Sequence, residues 1–263
     1  MGDLLNNLIL GILQGLTEYL PVSSSGHIEL GKYILNYHPN DSITLSVVLH
    51  FATVLSTAIV LWKDILRIIK GLFQFKNNKE TRFALYVVIS MVPAAIAGFL
   101  FESELEQFFD GNILLVGFML WITGLLLFLA DKATQTNKSV TPINAFIIGV
   151  AQMIALLPGI SRSGATISTS VLLKIDKSEA ARFSFLMVIP LIAGKMAKDL
   201  LDEKISFAAA DALPMLVGFL AALIVGIFAC KWMLDLVRRG KLVYFSIYCF
   251  VVGAIAILAA VLL

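Results

Sequence analysis

The stretch Gly11–His27, GILQGLTEYLPVSSSGH, returns 138 residues later as Gly149–Ala165, GVAQMIALLPGISRSGA. No gap is needed. Gly11 falls on Gly149, Gln14 on Gln152, Ser23 on Ser161, Ser25 on Ser163 and Gly26 on Gly164. Each copy is an apolar block that carries polar residues and ends in a Pro/Gly/Ser turn. A short apolar arm follows each turn, Ile28–Leu35 and Ala165–Leu173. As helix, such an arm covers only about 12–14 Å, less than half of the roughly 30 Å of hydrocarbon in a bilayer. Leu4–Leu20 and Ile143–Leu157 with their arms are therefore expected to be re-entrant hairpins, each leaving by the side it entered.

The rest of the chain explains why a membrane is the setting. Of 263 residues, 59% are hydrophobic and 14% charged, against about 45–50% and 25% in soluble domains. Six further apolar blocks have span-like length: Ile43–Trp62, Phe83–Phe101, Ile113–Ala130, Phe183–Ala197, Ala212–Trp232 and Leu242–Leu263. The fourth is short and carries Pro190 and Gly194. The expected fold is an all-α integral membrane protein, six transmembrane helices plus two re-entrant hairpins. It forms a single polytopic domain over residues 1–263, built as an inverted-topology repeat of halves 1–135 and 136–263. The N-terminus, Met-Gly-Asp, shows no basic region ahead of an apolar core and so no cleavable signal peptide is expected. Cys230 and Cys249 lie in apolar blocks and read as small buried hydrophobes.

Charge placement sets the expected orientation. Lys63, Arg67, Lys70, Lys76, Lys79 and Arg82 surround one loop, and Lys231, Arg238, Arg239 and Lys241 another. The positive-inside rule places both in the cytoplasm. Glu102, Glu104, Glu106 and Asp110 then mark the external side. The first hairpin enters from outside, the second from the cytoplasm, and both termini fall outside. Inverted repeats with broken helices place a site between the repeats near the midplane.

The hairpins carry the chemistry. Gln14 and Glu18 share a helix face with Gly11 and Gly15. An ionisable group inside an apolar block is costly and points to function. Glu18, Ser24 and His27 are therefore candidate catalytic residues on the first hairpin, together with Arg162 of the second, and Gln14, Ser23 and Ser25 are candidate phosphate contacts. The second offers Arg162, a planar fork of donors suited to phosphate. Ser161, Ser163 and Thr166 add hydroxyls. Gly159 and Gly164 allow an anion nest beside a helix N-terminus. Glu18 and Gln14 are candidate holders of a divalent cation. His27 is a nucleophile, or a general base for Ser24 or for water; the sequence slightly favours its acting directly on phosphate or on water. Among other residues, His50 reads as helix packing, His38 as a solvated loop residue and Glu29 as local polar packing or rim. Trp62, Trp121 and Trp232 read as interface anchors or packing.

QGLTEYLPVSSSGH at 14–27 and PGISRSGAT at 158–166 resemble the two signature motifs of the undecaprenyl pyrophosphate phosphatase family, the bacitracin-resistance proteins of bacteria. The resemblance covers essentially the whole chain. Gln14 stands where many members have a carboxylate. The resemblance implies removal of the terminal phosphate from undecaprenyl pyrophosphate, a long-chain isoprenyl pyrophosphate lipid, to give the monophosphate that carries cell-wall precursors. It further implies a bacterial inner-membrane location, an active site facing outward, Mg²⁺ or Ca²⁺ dependence and a homodimer. Bilayer lipids are the other expected partner, and no nucleic acid is. The competing reading is a transporter or flippase of a phosphorylated isoprenyl lipid, because inverted repeats are also a transporter architecture. A carrier would need Arg162 and the nest but has little use for Glu18 with His27. A structural scaffold would leave the intramembrane polar groups without purpose.

Overall fold

The computed structural model describes residues 2–37, 39, 42–101, 112–134, 136–202 and 212–262. These residues are helical throughout, apart from turns, short connections and one isolated bridge between Lys138 and Ile175. The first half supplies α1 (Gly2–Thr17), α2 (Ser24–Leu35), α3 (Ser42–Val60), α4 (Trp62–Leu72), α5 (Lys79–Leu100) and α6 (Ile113–Asp131). The second supplies α7 (Pro142–Ile154), α8 (Arg162–Leu172), α9 (Lys177–Leu201), α10 (Ala212–Arg238) and α11 (Val243–Leu262). Glu102, Glu104, Glu106, Asp110 and His38 lie outside the described residues.

Five helices, α5, α6, α9, α10 and α11, are long and apolar enough to cross a membrane. Helices α3 and α4, bent by 77° where they meet, make a sixth if the pair is counted as one span. The bend falls where the sequence changes character. Continuous apolar residues give way at Trp62 to WKDILRIIKGL, in which Lys63, Arg67 and Lys70 alternate with Ile65, Ile68 and Ile69 in a helical period. That segment turns along a surface rather than continuing across it. The stretch read above as a charged loop is thus partly helix. The fourth block also needs correction: α9 runs Lys177–Leu201, beyond both ends of Phe183–Ala197. Pro190 removes one backbone donor without breaking the helix, as spans tolerate when neighbours are packed around them. Its N-terminus extends because Asp176 caps the amides of Ser178 and Glu179 at 2.9 and 3.0 Å.

The hairpins pack on the two halves crosswise. α1 lies along α10 and α7 lies along α5. α6 pairs with α11 across the middle, and α3 meets α9. The α1–α10 seam is made by small residues, which let backbones approach without bulky side chains between them. A Cβ on Gly11 would lie 2.3 Å from the Gly218 carbonyl oxygen. Gly11→Ala should therefore force the two helices apart and lower stability by about 1–3 kcal/mol, read as an earlier thermal unfolding midpoint in detergent. An unchanged midpoint would show that the seam gives freely.

The direction of entry follows from contacts. Asn7, near the start of α1, donates to Tyr37 Oη at 2.9 Å, just ahead of α3. The other end of α3 meets the start of α9, where Arg182 donates to Asp64 at 2.5 Å. The chain entering α7 sits at that second end, with Val140 N donating to Glu179 at 3.0 Å. The hairpins therefore enter the bundle from opposite ends.

Candidate active site

Each hairpin turns at a capped helix start. Ser23 Oγ accepts from Gly26 N at 3.2 Å, and Ser161 Oγ accepts from Gly164 N at 3.0 Å. These are N-caps in an S-x-x-G pattern, which satisfy amides that the first turn leaves without partners. They start α2 and α8 several residues before the apolar arms seen in the sequence. The repeat extends to the neighbouring serines: Ser23 lies 3.4 Å from Ser25 and Ser161 lies 3.3 Å from Ser163, Oγ to Oγ. The aligned serines thus shape the turns as well as lining them.

The two turns press against each other. A Cβ on Gly26 would lie 3.2 Å from Gly159 Cα, and one on Gly164 would lie 3.3 Å from Pro21 Cβ. Pro21 and Gly159 occupy equivalent places in the two copies, as do Gly26 and Gly164, so the contact is made twice. Gly159 also adopts φ +96°, which a side chain would strain. Ser163 Oγ adds a bond to the Leu20 carbonyl at 3.4 Å. Thr123 of α6 fixes the second turn, donating to the Gly159 carbonyl at 3.2 Å and accepting from Ser161 N at 3.0 Å.

Glu18 lies at the junction. One carboxylate oxygen accepts from the Arg162 guanidinium. The other accepts from Ser24 Oγ at 2.7 Å and Gln14 Nε2 at 3.0 Å. Its side chain is 5% exposed and that of Arg162 is 20% exposed. Desolvation makes such a buried pair costly unless every lone pair is satisfied, and here protein donors meet both oxygens. Gln14 also reaches Thr53 Oγ1 at 3.4 Å. Tyr19 braces the same stretch of α3, donating to the Thr53 carbonyl at 2.5 Å with Ser56 and Thr57 alongside. A cleft between α3 and α9 ends on this cluster, lined by Glu18, Tyr19, Thr53, Thr57, Arg162 and Phe185.

His27 and Thr166 point elsewhere. His27 Nδ1 lies 2.8 Å from the Ser23 carbonyl and therefore carries the proton. Its Nε2 accepts from Tyr248 Oη at 2.8 Å, the two rings lying 15° from parallel. No hydrogen bond joins His27 to Ser24 among the described residues; the base that Ser24 meets is Glu18. Thr166 Oγ1 donates to the Arg162 carbonyl at 2.8 Å and meets Ser184 Oγ at 2.7 Å. It ties α8 to α9 rather than lining the cleft.

A scan against family models matches residues 7–255 to the family described as bacitracin resistance protein BacA. The chain belongs to the BacA family. A BacA relative in Christiangramia forsetii, named undecaprenyl-diphosphatase, is 60% identical over 260 residues, 98% of each chain. One of the same name in Bacteroides fragilis is 46% identical, over 96% of this chain and 97% of its own. Another in Methanococcus vannielii is 38% identical, over 96% and 99%. This BacA chain is accordingly a multi-pass membrane protein with its polar cluster buried among helices.

Thr123 and Tyr248, which contact the two turns, were not marked by the sequence, and His50, read there as helix packing, lies 3.8 Å from Glu18. Each lies in an apolar span, far in sequence from the hairpins. For α3 a signal existed, since Ser46, His50, Thr53 and Thr57 recur at helical spacing within a span. For Thr123 and Tyr248 nothing local marked them. Tyr248→Phe keeps the ring contact but removes the donor to His27. A neutral hydrogen bond is worth about 0.5–1.5 kcal/mol net, so turnover should fall about 3- to 10-fold by steady-state phosphate release. Unaltered turnover would mean that the Ser23 carbonyl alone suffices to place His27.

Proposed function

We propose that this protein hydrolyses undecaprenyl pyrophosphate to undecaprenyl phosphate and inorganic phosphate. That reaction would recycle the carrier for cell-wall synthesis and confer bacitracin resistance. The observation that carries the reading is the hydrogen bond from Ser24 Oγ to Glu18 beside Arg162, at the end of a cleft between α3 and α9. A hydroxyl, a base within 2.7 Å and a guanidinium fork are the parts a phosphoryl transfer needs. A carrier would need only the last.

The residues act as follows. Arg162 exchanges part of its contact with Glu18 for the terminal phosphate and holds its oxygens through planar, paired donors. Ser24 Oγ passes its proton to Glu18 and attacks phosphorus. The bond from phosphorus to the bridging oxygen breaks, and the lipid monophosphate leaves with that oxygen. Water then attacks the phosphoserine, giving inorganic phosphate and restoring the serine. His27, fixed between the Ser23 carbonyl and Tyr248, holds the turn that presents Ser24. Ser23 has φ +70°, a backbone conformation uncommon for a side-chain-bearing residue, and the imidazole bond to its carbonyl stabilises it there. This assignment moves the attacking role from His27 to Ser24.

A divalent cation, Mg²⁺ or Ca²⁺, belongs in the same proposal. The donors present are one carboxylate, Glu18, and the Gln14 amide oxygen, which is buried and has no hydrogen-bond partner among the described residues. No group of three or more His, Cys, Asp or Glu side chains is placed for a metal among those residues. That set fits an ion carried in by pyrophosphate oxygens rather than an all-protein cage. Glu18 and Gln14 would hold it, and it would neutralise charge on the phosphate oxygens.

The halves read as an inverted-topology repeat, consistent with hairpins entering from opposite ends. The basic residues at the α4 end support a cytoplasmic position for that end, and the proposal includes a bacterial inner-membrane location with the site open to the outer side. A homodimer completes the proposal. The test is phosphate release from undecaprenyl pyrophosphate by purified protein, with divalent cations and with EDTA. One phosphate per lipid, abolished by EDTA, is expected. No release with any divalent cation would favour lipid transport instead.

A further inference from the structure

His50 of α3 faces the reactive carboxylate from outside both hairpins. Its Nε2 lies 3.8 Å from Glu18 Oε2. Its Nδ1 lies 2.8 Å from the Ser46 carbonyl oxygen, with Ser46 Oγ at 3.5 Å. A ring nitrogen facing a carbonyl must carry the proton, so the lone pair of the neutral imidazole sits on Nε2, toward Glu18. A cation between the two would meet that lone pair and the carboxylate together. A metal-ligating histidine usually has one ring N–H held by a carbonyl, as Nδ1 is here, which leaves the other nitrogen for the ion.

Gln14 supplies an independent observation. It is fully buried, and Oε1 is without a partner while Nε2 lies 3.0 Å from Glu18 and 3.4 Å from Thr53. The amide nitrogen and oxygen can exchange places by rotation. Rotated, Oε1 would face Glu18, and the two oxygens could share a cation. Gln14 from the first hairpin and His50 from α3 thus both meet Glu18 beside Arg162. Neighbouring donors on one ion are roughly 3–4 Å apart, and His50 Nε2 and Glu18 Oε2, 3.8 Å apart, fall in that range.

We infer that His50 is a nitrogen ligand of the divalent cation at this site, bound together with the substrate's phosphates. The inference rests on the proposed function and adds to it a side chain from a span and a metal preference. Imidazole suits transition ions, whereas carboxylate and carbonyl oxygens suit Mg²⁺ and Ca²⁺. The site should accordingly favour Mn²⁺ over Ca²⁺.

The experiment uses the full-length protein in detergent with Mn²⁺ and methylenediphosphonate, a pyrophosphate analogue that is not hydrolysed. Pulsed electron paramagnetic resonance of the bound Mn²⁺ is expected to show ¹⁴N coupling. His50→Gln, close in size, should abolish that coupling and lower the Mn²⁺ over Ca²⁺ preference by about 10-fold or more. His27→Gln should leave the coupling in place. Bound Mn²⁺ without nitrogen coupling, coupling that survives His50→Gln, or no Mn²⁺ bound would each overturn the inference. Diphosphonate binding, measured calorimetrically in wild type and in Arg162→Ala, keeps the two readings distinct. Its loss in Arg162→Ala supports the phosphate site whatever the nitrogen result. The thermal midpoint of His50→Gln shows whether the variant is folded.

Discussion

Phosphate release should fall by about a thousandfold in Arg162→Lys, although the charge is retained. Arginines that clamp a transferring phosphoryl group are worth roughly 10³–10⁵ in rate, and a single donor to developing negative charge about 10²–10³. Lysine offers a point charge on a flexible stem, without the planar fork that can hold Glu18 and a phosphate oxygen together. Arg162 also opens α8, so its position is fixed by the Ser161 cap and by the contact of the second turn with the first. A lysine there would start from the same backbone but reach the carboxylate differently. Arg162→Ala should be at least as impaired and should also lose binding of the pyrophosphate analogue. Steady-state release with saturating lipid measures it. A value within tenfold of wild type would remove the guanidinium from the chemistry.

Glu18→Gln and Ser24→Ala should each cost about 10²–10⁴ in turnover, the usual range for a general base, and Ser24→Ala, Glu18→Gln together should cost little more than either alone. Residues that act as one unit are strongly non-additive. The reason is visible in the site: Ser24 donates directly to Glu18 at 2.7 Å, so removing either one breaks the same contact. His27→Ala is the contrast. It should lower turnover by loosening the Ser23 turn, while acid-quenched wild-type enzyme carries phosphate on Ser24 and none on His27. Near-full turnover in Ser24→Ala would exclude the serine route. Phosphate found on His27 would return the attacking role to the imidazole.

Much of the fold was legible because it rests on hydrophobic length and on repetition. The re-entrant arms were too short to span, and α2 and α8 are indeed 12 and 11 residues long. Glycines aligned by the repeat marked the close contacts. Boundaries were less legible where polar caps, rather than apolar residues, start a helix, as at Asp176 before α9. The bend at Leu61 was hidden because α4 is amphipathic, and charge counting merged it with a loop.

In the site, residue types were readable but pairings were not. Glu18 and Arg162 stood out because ionisable groups are expensive in an apolar block. Which hydroxyl meets Glu18 depends on the side to which the capped turn projects each serine. The cap takes Ser23 and leaves Ser24 for the carboxylate. Thr166 shows the converse. Its motif position suggested substrate, yet one helical turn past Arg162 its hydroxyl meets the Arg162 carbonyl and Ser184. Tyr248 is beyond any local reading, because its partner lies 221 residues away.

The central claim is that hairpins entering from opposite ends close one site through Glu18 and Arg162. A double-mutant cycle on unfolding stability tests it most directly, comparing Glu18→Gln, Arg162→Met and the combined variant in detergent. Breaking a buried pair from one side leaves a charge without compensation and costs about 3–5 kcal/mol, whereas replacing both partners is often near neutral. The combined variant is therefore expected to be more stable than Arg162→Met alone. Effects that simply add would mean that the two side chains do not meet, and would contradict the claim.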